Sequence, residues 1–216
     1  MRKKLVIIGA GGHGQQLREI IETLKRWRFW GFVDADPQPG MGRVFRQNHD
    51  HAEYLHKRGV DFFINGVGSN GVKFERDKAY DWAIIAEGFI PISQVVHPTA
   101  VIYASARCNE GCIVMAGAII GSRATLEVDV LINHAAVVDH DCWIGEHSHI
   151  APGALLGGRV HVGRCVHVGA GAVIRQGVAI GDGAVVAAGA VVVDDVPGGA
   201  VVLGVPARAR AGLVAL

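Results

Sequence analysis

Residues 132–150 read INHAAVVDHDCWIGEHSHI, and every sixth residue of this stretch, beginning at Ile132, is a large aliphatic residue. The same phase runs from Val96 to Pro197 without a break, and all seventeen residues at its first position are apolar. The fifth position is small or β-branched, as at Cys142. One large and one small inward side chain at a fixed short period are typical of hexapeptide repeats. The spacing predicts an all-β left-handed parallel β-helix with three hexads per coil, so that residues eighteen apart lie above one another.

The repeat is predicted to occupy residues 93–206, and residues 1–92 do not follow its period. In this first segment, apolar runs alternate with stretches that have apolar residues at helical spacing. The alternation predicts strands at 5–8, 29–33 and 61–67, and helices after Gly14, at 51–58 and at 73–88. Such alternation favours an α/β domain of half-Rossmann type. Residues 207–216 are predicted to form a C-terminal tail, helical from residue 209.

A glycine-rich turn follows the first predicted strand. Gly9, Gly11 and Gly14 fit the pattern G-x-G-x-x-G, and Asp34 follows twenty residues after the last of them. Backbone N–H groups at the start of a helix favour an anion, so we expect a phosphate group here. The domain has room for only half of a dinucleotide fold, which favours a nucleoside diphosphate over NAD. The alternative is a tight turn that binds nothing.

Composition excludes several classes of protein. The chain of 216 residues has a formal net charge of +1 and no long basic run, which argues against nucleic-acid or anionic-membrane partners. The apolar run at Leu5–Ile8 is too short for a signal sequence, so we expect a cytoplasmic protein. The hexad register turns Cys108, Cys112 and Cys142 inward, which predicts buried free thiols rather than metal ligands.

Histidines cluster in the repeat between residues 134 and 167. His140 lies at an outward third position between Asp139 and Asp141, and a carboxylate beside an imidazole is what a general base requires. His149 and His167 are eighteen apart and are predicted to stack, with all these imidazoles at the surface or in a crevice between subunits. The alternative for His140 is a solvated acidic corner with an idle histidine, and the same idle role is expected of the remaining histidines: His134, His147 and His161.

A metal site is not expected. The left-handed β-helix carbonic anhydrases bind zinc through a pair of histidines five residues apart, and no two histidines of this repeat have that spacing.

The glycine turn at 9–14, the sequence HPTA at 97–100 and the segment 132–149 together resemble one family. It is the hexapeptide sugar acyltransferases, which include the bacillosamine-pathway UDP-4-amino-sugar N-acetyltransferase and the sialic acid O-acetyltransferases. The resemblance implies that His140 is the general base, with Asp141 orienting it. The best-matched members have glutamate at the position of Asp141, which leaves Asp139 as an alternative orienting residue.

The resemblance also implies the remaining site residues. His149 and Asn133 belong to the catalytic group, with His149 at the reacting acetyl group and the Gly158 N–H at the thioester oxygen. Acetyl-CoA is expected in a groove between subunits of a homotrimer, past Gly158, Ala170 and Ala188. The nucleotide sugar is expected on the first domain, at Gly11, Gly12, His13, Asp34, Asp36, Gly68 and Asn70.

The implied activity is transfer of acetyl from acetyl-CoA to the 4-amino group of a UDP- or dTDP-linked amino-deoxysugar. Alternatives are O-acetylation of a sugar, a scaffold that binds nucleotide sugar or CoA without catalysis, and an NAD-dependent oxidoreductase. The sequence leaves open the carrier nucleotide, the sugar stereochemistry, the acyl chain length and the choice of amine or hydroxyl acceptor.

Overall fold

The computed structural model describes residues 2–37, 40–69 and 75–214, the last four as backbone only. Two compact units account for them: residues 2–68 with 75–95, and Ser69 with 96–214. Within the described residues, no helix is long and apolar enough to cross a membrane.

The first unit is a five-stranded parallel sheet with helices, as predicted for a half-Rossmann domain. Its strand order is β3-β2-β1-β4-β5. The strands are β1 (Lys4–Ile8), β2 (Arg28–Asp34), β3 (Val44–Arg46), β4 (Val60–Asn65) and β5 (Ile90–Pro91). The helices are α1 (Gly12–Leu24), α2 (His49–His56) and α3 (Glu75–Asp81), the last continuing as a π-helical turn at Trp82–Ala86.

Burial explains why the central strand of this sheet was predicted, and strand length explains why two edge strands were not. Central strand β1 is apolar on both faces, with Leu5 to Ile8 no more than 1 % exposed, which is why its run is continuous. The short edge strands β3 and β5 were not predicted, because two or three residues carry no readable periodicity. The predicted helix at 73–88 is helical from Glu75 to Ala86 within the described residues.

The second unit is a parallel β-helix with three faces. Face I contains β6 (Gln94–Val96), β9 (Cys112–Val114), β12 (Leu131–Ile132), β15 (His149–Ile150), β18 (His167–Val168), β21 (Val185–Val186), β23 (Ala200–Leu203) and β24 (Arg208–Val214). Face II contains β7 (Val101–Ile102), β10 (Ile119–Ile120), β13 (Val137–Val138), β16 (Leu155–Leu156), β19 (Val173–Ile174) and β22 (Val191–Val192). Face III contains β8 (Arg107–Cys108), β11 (Thr125–Leu126), β14 (Trp143–Ile144), β17 (His161–Val162) and β20 (Ala179–Ile180).

The register confirms the hexad prediction. Paired residues along a face differ by eighteen, as in Ile144 with Val162 and His149 with His167. First-position residues from Val114 onward are buried, and so are the fifth-position residues that pack beside them. Cys112 and Cys142 are buried free thiols as predicted, whereas Cys108 is only partly buried. The turns between faces form three edges, named here the I/II, II/III and III/I edges after the faces that they join.

The C-terminal tail is not helical, so that prediction was wrong. Residues Arg208–Val214 form strand β24, which pairs antiparallel with β23. The last coil of a β-helix exposes a row of unpaired backbone N–H and C=O groups, and an added strand satisfies them. That requirement comes from the end of the sheet and outweighs the local helix propensity of an Ala- and Leu-rich tail.

Candidate active site

His140 lies at the II/III edge, in the turn between β13 and β14. Its Nδ1 is 2.7 Å from Asp141 Oδ2, and its side chain is 45 % exposed. Asp139 Oδ1 instead accepts the His140 backbone N–H at 2.7 Å. The geometry therefore favours Asp141 over Asp139 as the carboxylate that orients the ring. Because an ionised carboxylate only accepts hydrogen bonds, Nδ1 carries the proton in the neutral ring and Nε2 keeps a free electron pair.

Asp141 is itself held by Arg123, which lies one coil earlier on the same edge. Arg123 Nε donates to Asp141 Oδ1 at 2.6 Å, and its Nη2 donates to Oδ2 at 2.9 Å. The guanidinium, followed by the imidazole of His140, holds the pKa of the Asp141 carboxyl well below its ordinary value. The carboxylate therefore stays ionised through the neutral range and has a fixed orientation. Sequence reasoning missed Arg123, although its position eighteen residues before Asp141 was a readable signal.

The His140 ring lies directly over Gly158, one coil later on this edge. A Cβ built on Gly158 would be 2.5 Å from His140 Nε2 and 2.6 Å from Cε1. Of the seventeen third positions from 98 to 194, only position 158 is glycine. The turn backbone therefore accepts a Cβ elsewhere, and it is the ring above that requires glycine here. Gly158 N–H has no hydrogen-bond acceptor within the described part of the chain.

Other predicted residues lie on a different edge. Asn133 is at the I/II edge, where its Nδ2 donates to His149 Nε2 at 3.1 Å. His149 Nδ1 is 3.0 Å from the Ser69 carbonyl oxygen, so its ring has contacts at both nitrogens. Asn133 Oδ1 also accepts from His134 Nδ1 at 2.7 Å, which gives His134 a structural partner. Ala170 and Ala188 are exposed on this same edge. A single chain thus brings His140, Asp141 and Gly158 together, but not with these residues.

The expectation that the clustered histidines line a surface or a crevice was wrong for two of them. His149 is 6 % exposed and His147 is 8 % exposed within one chain. His147 Nδ1 is 3.1 Å from Asp129 Oδ2, a fully buried carboxylate at the III/I edge. Both residues are at outward hexad positions, and the repeat pattern alone cannot show that they are buried. His167 does stack with His149, with ring centroids 5.0 Å apart, and burial lowers its pKa.

A separate cleft of about 610 Å³ opens at the carboxyl ends of β1, β2 and β4 in the first unit. Five predicted substrate residues line it: Gly11, Gly12, His13, Asp34 and Gly68. Asp36 is not among the lining residues, and Asn70 lies outside the described residues. Sequence reasoning missed Gln47, Glu75 and Lys78, which also line the cleft. Gln47 follows β3 and the other two lie in α3, and neither segment has a recognisable motif.

The glycines of the turn have two distinct roles. A Cβ on Gly14 would lie 2.1 Å from the Gly9 carbonyl oxygen, and Gly9 has a φ of +94°. These two glycines are therefore required by the turn itself. Gly11 and Gly12 have no atom within 4 Å of an added Cβ, so they leave the space in front of the α1 N-terminus open. That opening, at the positive end of a 13-residue helix, suits a phosphate group.

Asp34 closes the turn from the side of β2. Its Oδ2 accepts the Ala10 N–H at 2.7 Å, and its Oδ1 accepts the Asp36 N–H at 2.9 Å. On the other wall, buried Arg76 donates to the Val67 carbonyl oxygen at 2.8 Å. These bonds hold both walls of the cleft, so Asp34 has a structural contribution besides any contact with a ligand.

No group of three His, Cys, Asp or Glu side chains that could hold a metal ion occurs among the residues that the structure describes.

Comparison with known proteins agrees with this geometry. Residues 4–77 match the PglD N-terminal domain family. PerB from Caulobacter crescentus, solved with CoA and GDP-perosamine, superposes with a TM-score of 0.86 at 35% identity, covering 96% of this chain and 97% of that chain. The acetyltransferase domain of PglB from Neisseria gonorrhoeae FA1090, solved with acetyl coenzyme A, gives a TM-score of 0.85 at 33% identity, covering 97% and 100%. WeeI from Acinetobacter baumannii AYE shares the fold, with a TM-score of 0.78 at 24% identity over 95% of this chain and 99% of that chain.

The fold and these relatives thus identify an acyltransferase of the hexapeptide class. The chain belongs to the family of sugar N-acetyltransferases that carry a PglD N-terminal domain.

Proposed function

We propose that the protein transfers acetyl from acetyl-CoA to the 4-amino group of a nucleotide-linked amino-deoxysugar, with His140 as the general base. The observation that carries this proposal is the His140–Asp141 pair, joined at 2.7 Å with Nε2 turned toward Gly158. The relatives support the donor and the kind of acceptor, since PerB was solved with CoA and GDP-perosamine and the PglB domain with acetyl coenzyme A.

The proposed step balances as a simple acyl transfer. The sugar amine attacks the thioester carbon while His140 Nε2 takes a proton from the amine nitrogen. The tetrahedral intermediate collapses with loss of the CoA thiolate, which takes the proton back from His140. Ionised Asp141 stabilises the imidazolium that exists between these two transfers. A positioned base of this kind contributes roughly a hundred- to ten-thousandfold in rate.

Negative charge develops on the thioester oxygen in the same step. We place this oxygen at the Gly158 N–H, because Gly158 lies beside the His140 ring and its N–H has no acceptor within the described part of the chain. Removal of one such donor in a serine protease costs about 10²–10³ in kcat. One edge of the β-helix would thus supply both the base and the oxyanion donor.

The nucleotide end of the substrate is assigned to the cleft of the first unit. The open space at Gly11 and Gly12 receives the phosphates at the α1 N-terminus, with His13, Asp34 and Gly68 around it. Asp36 and Asn70 remain predicted contacts of the nucleoside. UDP and dTDP are the carriers predicted from the sequence, and GDP joins them because PerB was solved with GDP-perosamine.

The complete site is proposed to form between copies of the chain. His140 and Gly158 occupy the II/III edge, whereas Asn133, Ala170 and Ala188 occupy the I/II edge, with face II between them. Five residues of extended chain separate such edges by roughly 16 Å, too far for one thioester to meet both. A neighbouring copy brings its I/II edge to the His140 edge, and CoA lies in the groove between them. The place of His149 near the acetyl group remains a prediction.

Face II has the surface that such an assembly needs. All six of its outward side chains are aliphatic: Val101, Ile119, Val137, Leu155, Val173 and Val191. Several are well exposed, with Val101 at 50 % and Leu155 at 44 %. A continuous aliphatic sheet face is costly in water and is typical of an interface. We propose a homotrimer in which this face is covered by neighbouring copies. The cytoplasmic location remains a prediction.

The test is thiol release from acetyl-CoA, followed with a chromogenic disulfide against a panel of UDP-, dTDP- and GDP-linked 4-amino sugars. The proposal expects turnover with one amino sugar and a loss of at least a hundredfold in His140→Ala. His161→Ala is the matched control, because this exposed histidine of the same β-helix stacks on Trp143 and has no assigned role in the proposed chemistry. Turnover only with a hydroxyl acceptor would identify an O-acetyltransferase, and no thiol release with any acceptor would overturn the proposal.

A further inference from the structure

Cys142 lies inside the β-helix directly behind the proposed active edge. Its Sγ donates to the Gly157 carbonyl oxygen at 3.2 Å, and the residue is 1% exposed. Gly157 C=O and Gly158 N–H belong to the same peptide group. In a trans peptide these two bonds point in opposite directions. A carbonyl held inward by the thiol therefore directs the Gly158 N–H outward, beside the His140 ring.

We infer that Cys142 is a positioning residue for acyl transfer, because its thiol holds the Gly157–Gly158 peptide with the N–H aimed at the thioester oxygen. The role of Cys142 rests on the proposed function, since it acts only through the Gly158 N–H. It requires no contact between the thiol and either substrate.

The same arrangement occurs at a second place in the β-helix. There, a buried side chain donates to the inward carbonyl of a peptide, and the outward N–H of that peptide donates to a carboxylate oxygen. Buried Ser148 donates through Oγ to the Gly163 carbonyl oxygen at 2.7 Å. The N–H of that peptide, on Arg164, donates outward to Asp182 Oδ1 at 2.9 Å. Ser148 and Gly163 are fifteen residues apart, as are Cys142 and Gly157. A fifth-position donor that fixes the inner carbonyl thus leaves an outward N–H that binds a negatively charged oxygen.

The fold does not require a hydrogen-bond donor at position 142. The residues stacked with it at the II/III edge are Ala106, Ala124, Val160, Val178 and Val196, and none of them has a polar side chain. A small apolar residue is therefore sufficient for packing. Burial raises the pKa of the Cys142 thiol to about 11, so the thiol stays protonated and remains a donor across the neutral range.

The experiment compares the steady-state kinetics of acetyl transfer in Cys142→Ala, Cys142→Val and Cys142→Ser, each also tested for thermal stability. Ala and Val keep the packing seen in the same column but remove the donor. We expect kcat to fall about tenfold in both, less than the loss of an oxyanion donor itself. KM for acetyl-CoA and the pH profile of kcat should stay unchanged, because His140 and Asp141 are untouched. Ser should restore kcat, as Ser148 makes the same bond.

Cys112→Ala is the matched control. Cys112 Sγ donates to the Glu127 carbonyl oxygen at 3.1 Å, and donor and acceptor are fifteen residues apart, as in the bond from Cys142. This bond lies at the III/I edge, away from His140. We expect its kcat to equal that of the wild type.

Three results would overturn the role of Cys142: a kcat within twofold of wild type in both Ala and Val variants, a Ser variant as defective as the Ala variant, or an equal loss in Cys112→Ala. Each of these leaves the proposed function intact, since the wild type is then active and His140→Ala is not. A wild-type protein without acetyl transfer would overturn both.

Discussion

Gly158→Ala tests the geometry of the active edge most directly. The new Cβ would lie 2.5 Å from His140 Nε2, 2.6 Å from Cε1 and 3.1 Å from Cδ2. Ordinary carbon contacts begin near 3.5 Å, so the ring must retreat by about 1 Å. The backbone accepts the substitution, because Gly158 is not in the left-handed region and the equivalent positions in the next two coils hold Gln176 and Asp194. The ring is what gives way, since His140 is half exposed.

We expect kcat to fall about a hundredfold, because a displacement of 1 Å at the reacting groups is worth about that much. This corresponds to about 2.7 kcal/mol in the activation free energy. The free energy of unfolding should change by less than about 1 kcal/mol, or about 3 °C in Tm, because the ring can move into solvent. Kinetics from thiol release and thermal unfolding by circular dichroism measure the two effects separately.

A double-mutant cycle with His140→Ala controls for effects that do not pass through the ring. Once the imidazole is absent, Gly158→Ala should add less than threefold to the remaining loss. A single variant with kcat within threefold of wild type would refute the claim that the ring acts from its position over Gly158. A full loss of activity on the His140→Ala background would show instead that the methyl group blocks a substrate.

Three other perturbations follow from the same structure. Arg123→Gln should raise the pKa of Asp141 toward its ordinary value and lower kcat severalfold; ¹³C NMR of the labelled carboxyl checks the pKa, and an unchanged titration would contradict the ion pair. Leu155→Glu places a charge on the aliphatic face II, so light scattering should give the mass of a monomer for this variant. A wild-type protein with the mass of a monomer would refute the proposed homotrimer. His167→Val should make Tm less dependent on pH in the acid range. Burial lowers the pKa of His167, so below about pH 6.5 the unfolded chain binds more protons than the folded chain. The wild-type protein therefore loses stability as pH falls through this range, and the variant should lose less. An identical slope in the variant would rule out this contribution.

The division of the predicted site between two edges is the reason that we propose a site between copies of the chain. Residues that are close in sequence, such as Asn133 and His140, lie on opposite sides of face II because each hexad turns the chain by one face. The hexad register predicts this separation once three hexads make a coil. It does not identify which face a neighbour would cover, and our proposal of face II rests on the aliphatic character of all its outward residues.

Much of the candidate site was readable from local sequence. The triplet at Asp139–Asp141 indicated the proposed base, and the glycine turn indicated the cleft proposed to bind the nucleotide, because each is a short motif that can be recognised locally. Arg123 was missed although its stacking on Asp141 follows from the eighteen-residue period. Lys78 and Gln47 could not be found in this way, since they reach the cleft through the packing of α3 and of the segment after β3.

The sequence by itself determined the β-helix, its coil length and the inward residues, because a strict period of six fixes which side chains face the core at every step. It also determined the half-Rossmann domain, through a buried strand followed by a glycine turn and an amphipathic helix. Only the tertiary structure decided that Asp141 rather than Asp139 holds the His140 ring, since both carboxylates are adjacent in sequence and only the turn conformation separates them. Only the tertiary structure also decided that His147 is buried and that the tail forms a strand. The tail forms a strand because it pairs with β23 at the end of the sheet, and no local pattern in the tail records that contact.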